Sequence, residues 1–274
     1  MSVNRHGNPT EKSVPPLPAL ISPLPSIIFT DVDDTLTFDG QLPVETYTAL
    51  HQLRDAGFTV IPVTGASAGW CDCLIKTWPI QHIIGENGAL NMEKDANGIV
   101  STIFEKDSES VKHDLAKLKQ MGNALTDQFP TIKFTQDQQF RITDIAFDIG
   151  QTVIVPESLA VEATEWLAAK GVQARRSSIH INVWMGNHSK STGAMAWLKQ
   201  RNMDEHNCLF IGDSPNDESM FKQFPLSVGV ANIERFLATM EYVPAFVTVN
   251  QGGYGFVDMA NLLLKSHSAA GNQS

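Results

Sequence analysis

The chain has 274 residues, with 20 Lys and Arg against 30 Asp and Glu, a formal net charge of −10 and 42% hydrophobic residues. That length and apolar share suffice for one large domain or two moderate ones, and the acidic balance argues against a nucleic-acid backbone as the main partner. No apolar stretch approaches the ~20 residues needed to span a bilayer, so no membrane association is expected. Residues 1–24 carry Pro9, Pro15, Pro16, Pro18 and Pro23 with Arg5 and Lys12. Those prolines interrupt any signal-peptide core, and the segment reads as an irregular tail.

The first predicted strand is the β-branched, apolar run Ile27-Ile28-Phe29-Thr30, which leads into Asp31-Val32-Asp33-Asp34-Thr35-Leu36-Thr37. A helix is expected over 43–56, with Pro43 well placed at its start. A strand over 58–63 ends at Thr64-Gly65, followed by a helix over 68–77 and a strand over 81–84. Residues 91–185 then break the βαβ alternation. Hairpin-like strands over 89–92 and 99–104 precede a helix over 108–129, a strand over 141–149, a helix over 156–170 and strands over 172–177 and 179–184. The alternation resumes with a helix beginning near Lys190 and a strand from Cys208 to the cluster Gly212-Asp213-Ser214-Pro215-Asn216-Asp217. A helix over 218–223, a strand over 226–230, a helix over 233–240 and a strand over 245–249 follow. Gly252-Gly253-Tyr254-Gly255 reads as a turn before a last helix to Leu264, with a frayed tail over 266–274. The expected architecture is an α/β, doubly wound, Rossmann-like parallel sheet over 25–90 and 186–265, interrupted by an α+β cap over 91–185.

Two acidic strand ends in one chain are an ordinary way to build a hard-cation site. Asp31 and Asp33, two apart at a strand end, share a side while Val32 faces the other way. That spacing suits one carboxylate attacking an electrophile and a second handling a proton; an acidic turn is the plainer alternative. Thr64 offers a hydroxyl, Gly65 an unobstructed backbone N–H, and Lys190 a cation at a helix start, which together favour an anion such as phosphate.

In this order the motifs resemble those of the haloacid dehalogenase superfamily of phosphotransferases, over about residues 25–260. Asp31, Asp33 and Thr35 match its DxDxT strand end, Thr64 its second motif, Lys190 its third, and Gly212, Asp213, Asn216 and Asp217 its GDxxND motif. Asp34 stands where many members carry Gly, a departure that bears on the turn. The insertion between the second and third motifs is similar to the larger class of cap found in sugar-phosphate phosphatases, including the sucrose-phosphate, trehalose-phosphate and mannosyl-3-phosphoglycerate enzymes. The resemblance implies a Mg²⁺-dependent phosphomonoester hydrolase acting on a small phosphorylated metabolite, with a sugar phosphate the first expectation. Asp31 would be the nucleophile forming an aspartyl-phosphate, and Asp33 the general acid and base. Thr64, Gly65 and Lys190 would bind the phosphoryl oxygens. Asp31, the Asp33 backbone carbonyl and Asp213 would hold the metal, with Asp217 and Asn216 in its surroundings. A phosphomutase and a non-catalytic sugar-phosphate sensor are the competing readings.

For the leaving group, His180, Asn182 and Trp184 alternate with aliphatic residues and so share one face of a cap strand, which meets either the cleft or the cap's own core. Arg141 and Asp144 on another cap strand, and Asn87 in Gly85-Glu86-Asn87-Gly88, are further candidates. The cap is expected to act as a lid, with crossing points near Asn91 and Gly186 as hinges. Cys71, Cys73 and Cys208 show neither disulfide nor zinc spacing and point to a reducing, cytoplasmic setting.

Overall fold

The computed structural model describes residues 12–177 and 179–271. In chain order it begins with β1 (Ile27–Thr30), α1 (Val44–Asp55), β2 (Thr59–Pro62), α2 (Ala68–Thr77), β3 (His82–Gly85), β4 (Leu90–Lys94) and β5 (Val100–Phe104). It continues with α3 (Ser108–Gln128), β6 (Lys133–Phe134), β7 (Asp144–Asp148), α4 (Glu157–Ala168), β8 (Gln173–Arg176) and β9 (His180–Trp184). The last group is α5 (Lys190–Gln200), β10 (Cys208–Gly212), α6 (Glu218–Gln223), β11 (Ser227–Gly229), β12 (Phe246–Val247) and α7 (Gly252–Gly271).

The central sheet is parallel in the order β12-β11-β10-β1-β2, and a parallel bridge from Val63 to Ile84 brings β3 alongside β2. Both faces are covered, which is why these strands read as continuous apolar runs. Ile28, Val60, Leu209 and Ile211 face one core with residues of α1, α2 and α7. Ile27, Phe29, Ile61 and Phe210 face the other with Trp197 of α5 and Phe221 of α6. The chain winds away from β1 in one direction through β2 and from β10 in the other through β11. The crevice therefore opens at the C-terminal ends of β1 and β10, where the strand order reverses.

The inserted cap is an antiparallel sheet in the order β6-β7-β9-β8. Ile145, Phe147, Ile181, Val183 and Ala174 on one face pack against Leu118 and Leu125 of α3 and Ala160, Ala163 and Leu167 of α4. The hairpin β4–β5 pairs with β3 rather than with this sheet.

Several boundaries differ from the sequence expectation. The strand expected over 141–149 starts only at Asp144, because residues Gln138–Phe140 form a 3₁₀ turn that ends at Arg141. The helix expected over 233–240 is a 3₁₀ segment, Ala231–Phe236. The Gly252-Gly253-Tyr254-Gly255 stretch is the first turn of α7, not a loop before it. A Cβ at Gly253 would strike the Leu36 carbonyl oxygen and the Thr46 hydroxyl, so the glycine permits a close helix approach that outweighs its poor helix propensity. Helix α7 also continues past Leu264 through the stretch expected to fray, since buried Ser266 accepts the Ile21 N–H (3.0 Å) and donates to the Leu262 carbonyl (2.8 Å). Residues 272–274, and residues 1–11 of the proline-rich tail, lie outside the described residues. The rest of that tail has almost no regular structure but is attached: Pro15 and Leu17 exchange backbone hydrogen bonds with Val247 of β12 (2.9 and 3.2 Å).

Candidate active site

Asp31 is the first residue beyond β1, and its N–H donates to the Ile211 carbonyl (2.9 Å), which continues the β1–β10 ladder into the crevice. The turn that follows needs a left-handed residue, and Asp34 has φ +56°. Glycine adopts that region freely and Asp tolerates it better than most residues, so the departure from the family's Gly is absorbed in the backbone. The Thr37 hydroxyl accepts the Asp34 N–H (2.9 Å) and fixes the turn.

Lys190 opens α5 at its first position, set by a reciprocal capping box between Ser189 and Thr192. Its side chain is 2% exposed and donates to Asp31 Oδ1 (2.6 Å) and Asp217 Oδ1 (2.7 Å). Asp217 Oδ2 accepts the N–H groups of Asp213 (3.0 Å) and Ser214 (3.4 Å), folding the β10 turn around its carboxylate. Asp31, Asp213 and Asp217 are all buried, with carboxylate oxygens within 4.8 Å of one another. Burial pushes the Asp31 carboxyl up to about 7; Lys190 pulls it back, and Asp217 and Asp33 push it further up. Asp213 is raised well above the carboxylate range by burial and then by Asp31 and Asp217. Lys190 keeps its proton against the cost of burial because Asp217 and Asp31 face it. Three crowded carboxylates with one ammonium leave uncompensated negative charge, and their hard oxygens fit a divalent cation such as Mg²⁺.

Asp33 lies outside that trio and is half-buried; burial first, then Asp34, raises its pKa. Asn216 Oδ1 accepts the Ser214 hydroxyl (2.7 Å). Asn232, which sequence reasoning missed, reaches the trio, donating to Asp213 Oδ2 (3.0 Å) and the Asp34 carbonyl (3.1 Å). No motif marks Asn232; only the folded turn after β11 brings it there.

Thr64 is buried beyond β2, and its hydroxyl oxygen accepts the Ala66 N–H (3.0 Å), leaving the hydroxyl proton for a ligand. The next carbonyl, of Gly65, is one of the places where the cap touches the core. It accepts from Arg141 Nη1 (3.0 Å) and Asn182 Nδ2 (3.1 Å). Arg141 is also paired with Asp144 (3.0 Å); burial pushes the Asp144 carboxyl up to about 7 although Arg141 opposes it. A Cβ at Gly65 would press on the side chains of Asn87 and Asn182. Asn87 sits there in a left-handed conformation (φ +57°) with a buried Nδ2 that has no partner.

The strand face holding His180, Asn182 and Trp184 thus turns toward the core, but only Asn182 reaches the crevice loops. His180 Nε2 is engaged with Gln151 Oε1 (2.8 Å) inside the cap. Trp184 donates from Nε1 to the His188 carbonyl (3.0 Å) and stacks on the His188 ring in the crossing segment. Arg175, also missed, pairs with Asn182 across the cap sheet and so projects from the same face. It is exposed, no carboxylate among the described residues pairs with it, and its strand passes within 8 Å (Cα–Cα) of the turn Pro215–Asp217.

A family model described as haloacid dehalogenase-like hydrolase matches residues 28–128 and 128–240. The chain belongs to this family. Among its relatives, a phosphoglycolate phosphatase of Sulfolobus acidocaldarius is 23% identical over 221 residues, 78% of this chain and 87% of that protein. A phosphoglycolate phosphatase of Methanobrevibacter smithii is 24% identical over 214 residues, 77% and 87% of the two chains. Similar solved structures include a Thermoplasma acidophilum protein (TM-score 0.67, 17% identity, 88% and 98% coverage). The Synechocystis sucrose-phosphatase in complex with sucrose and phosphate is another (TM-score 0.64, 16% identity, 88% and 98% coverage). These structural likenesses show the same fold.

Proposed function

We propose that this phosphatase hydrolyses a small phosphomonoester through a phosphoryl group carried on Asp31, with Mg²⁺ held by Asp31, Asp213, Asp217 and the Asp33 main-chain carbonyl. The observation that carries the reading is the meeting of Asp31, Asp213, Asp217 and Lys190 at the ends of adjacent parallel strands. Bound there, the ion supplies charge that lets an anionic nucleophile meet an anionic substrate.

Lys190 keeps Asp31 oriented and lowers the cost of its ionised form. An Asp31 oxygen attacks phosphorus as the bond to the leaving alcohol breaks, and Asp33, whose pKa is raised by burial, gives its proton to the departing oxygen. Asp33 then takes a proton from water as that water attacks phosphorus, which releases inorganic phosphate and restores Asp31. Thr64 donates its free hydroxyl proton, and Asn87 its unpartnered Nδ2, to phosphoryl oxygens.

On the leaving group, the family resemblance favours a sugar phosphate, and the polar cap face around Asn182 suits a hydroxyl-rich one. A carboxylate-bearing leaving group is the second reading, favoured by the unpaired Arg175 on that face and consistent with the names of the phosphoglycolate phosphatase relatives. The cap over residues 91–185 serves as the lid. The three free cysteines accord with a reducing, cytoplasmic setting, and no helix among the described residues is long and apolar enough to cross a membrane. A screen of sugar phosphates and 2-phosphoglycolate with Mg²⁺, read as free phosphate, tests the reading. Isomerised phosphosugar without phosphate release would identify a mutase instead, and no turnover of any kind would favour a sensor.

A further inference from the structure

Glu86 is a fully buried carboxylate (0% exposed) outside the catalytic cluster. No Lys or Arg among the described residues forms an ion pair with it; donors of hydrogen bonds surround it instead. Oε1 accepts the N–H of Ala68, the first residue of α2 (2.9 Å), and the N–H of Ile142 (2.9 Å). Oε2 accepts the N–H of Thr143 (2.6 Å) and the Thr143 hydroxyl. Three of these four donors belong to the cap and one to the core. Glu86 also holds a left-handed backbone (φ +44°), as does Asn87 after it (φ +57°). Such a pair of non-glycine residues persists only where its surroundings fix it. Here the Glu86 N–H is tied to the Ala66 carbonyl (3.2 Å) and the Asn87 N–H to the Thr64 carbonyl (3.0 Å). The loop bearing Thr64 and Gly65 and the turn bearing Glu86 are therefore one unit, and its carboxylate is aimed at the cap.

We propose that Glu86 is the positioning residue of the cap: it docks the main chain of Ile142 and Thr143 on the core and so delivers Arg141 and Asn182 to the Gly65 carbonyl beside Thr64. Arg141 immediately precedes the docked residues, and its Nη1 contact with Gly65 (3.0 Å) depends on where they sit. With the cap displaced, the carboxylate keeps only its Ala68 partner and stands buried and under-satisfied, a penalty that favours the docked arrangement. Leaving-group contacts from the cap face follow from this register, a consequence that rests on the phosphatase reading above; the docking itself does not.

The test is Glu86→Gln in the full chain, which keeps the size but turns an NH₂ group toward N–H donors. Amide hydrogen exchange across residues 137–148 should quicken by about tenfold or more while peptides from β1 and β10 stay unchanged. Hydrolysis of p-nitrophenyl phosphate with Mg²⁺, which needs only core residues, should stay within about threefold, whereas KM should rise about tenfold for whichever of glucose 6-phosphate and 2-phosphoglycolate the wild type hydrolyses. Unchanged exchange across 137–148, or loss of p-nitrophenyl phosphate turnover with no change in exchange, overturns the proposal and leaves Glu86 a support of the Thr64 loop alone. If Glu86→Gln does not fold, Thr143→Val removes one cap-side donor with the core intact and should quicken the same peptide by a smaller factor; unchanged exchange there overturns the proposal too. A wild type without activity toward any phosphomonoester counts against the phosphatase reading only, because exchange is measured without turnover.

Discussion

Replacing Lys190 by Met removes the one ammonium from a buried cluster of three carboxylates while keeping an unbranched chain of similar length. Lys190 makes two charge-assisted hydrogen bonds, at 2.6 Å to Asp31 and 2.7 Å to Asp217. Bonds to charged groups contribute about 1.5–3 kcal/mol each, and removing one partner of a buried ion pair costs about 3–5 kcal/mol because the other charge stays behind. The two figures agree, so Lys190→Met should lose about 3–5 kcal/mol in urea unfolding in EDTA at neutral pH. Saturating Mg²⁺ brings positive charge to the same carboxylates and should shrink the difference from wild type, since ligand that binds only the folded state stabilises it by mass action. Phosphate release should fall to background whether or not Mg²⁺ is present. A loss below about 1 kcal/mol in EDTA, with an unchanged denaturant slope, would refute the claim that Lys190 balances this cluster. So would a difference from wild type that Mg²⁺ leaves untouched.

Asp31→Asn keeps the side-chain size but removes the attacking charge, so p-nitrophenyl phosphate turnover should drop to background with the circular dichroism spectrum retained; substantial residual activity contradicts the nucleophile assignment. Burial, aided by Lys106, lowers the His188 pKa from 6.5 to about 4; Glu105 and Asp114 also line its surroundings. A His depressed in the folded state is protonated first in the unfolded chain, so its contribution to stability is present above pH 6.5 and lost as pH falls toward 4. His188→Phe should flatten the acid side of the stability profile by up to about 1.4 kcal/mol per pH unit in that window, and parallel wild-type and variant profiles would exclude the effect. Asn182→Ala and Arg175→Ala should each raise KM about tenfold for a substrate that contacts the cap while sparing p-nitrophenyl phosphate; equal losses on both substrates would remove these residues from leaving-group selection.

The clustering of the candidate site was legible because its pieces are local. Its strand-end motifs are short polar clusters ending apolar runs, and parallel strands covered on both faces carry such runs without interruption. Lys190 was readable as a helix start from the pattern that begins there, and the register of β1 with β10 and β2 did the rest. The cap was legible only as a pattern. Alternation in β9 correctly grouped His180, Asn182 and Trp184, but what each one touches depends on long-range partners: Gly65 for Asn182, 117 residues away in sequence, against Gln151 and His188 for the other two. Glu86 was hidden for the same reason, since its cap donors lie 56 and 57 residues downstream. Glycines misled at α7, where Gly253 and Gly255 mark close packing against neighbouring backbone and not a break in the helix.

The attachment of Pro15 and Leu17 to β12 has a bearing on solubility. Strand β12 is the last of its sheet, and an uncovered terminal strand offers unpaired N–H and C=O groups to any other extended chain. Here Val247 gives both its backbone groups to the N-terminal segment, and the segment itself carries Pro15, Pro16 and Pro18, which have no N–H to offer outward. The prolines thus close the sheet instead of passing the pairing on. A chain shortened to begin at residue 25 should keep its catalytic residues yet expose a sticky margin, and light scattering during concentration would register it as self-association.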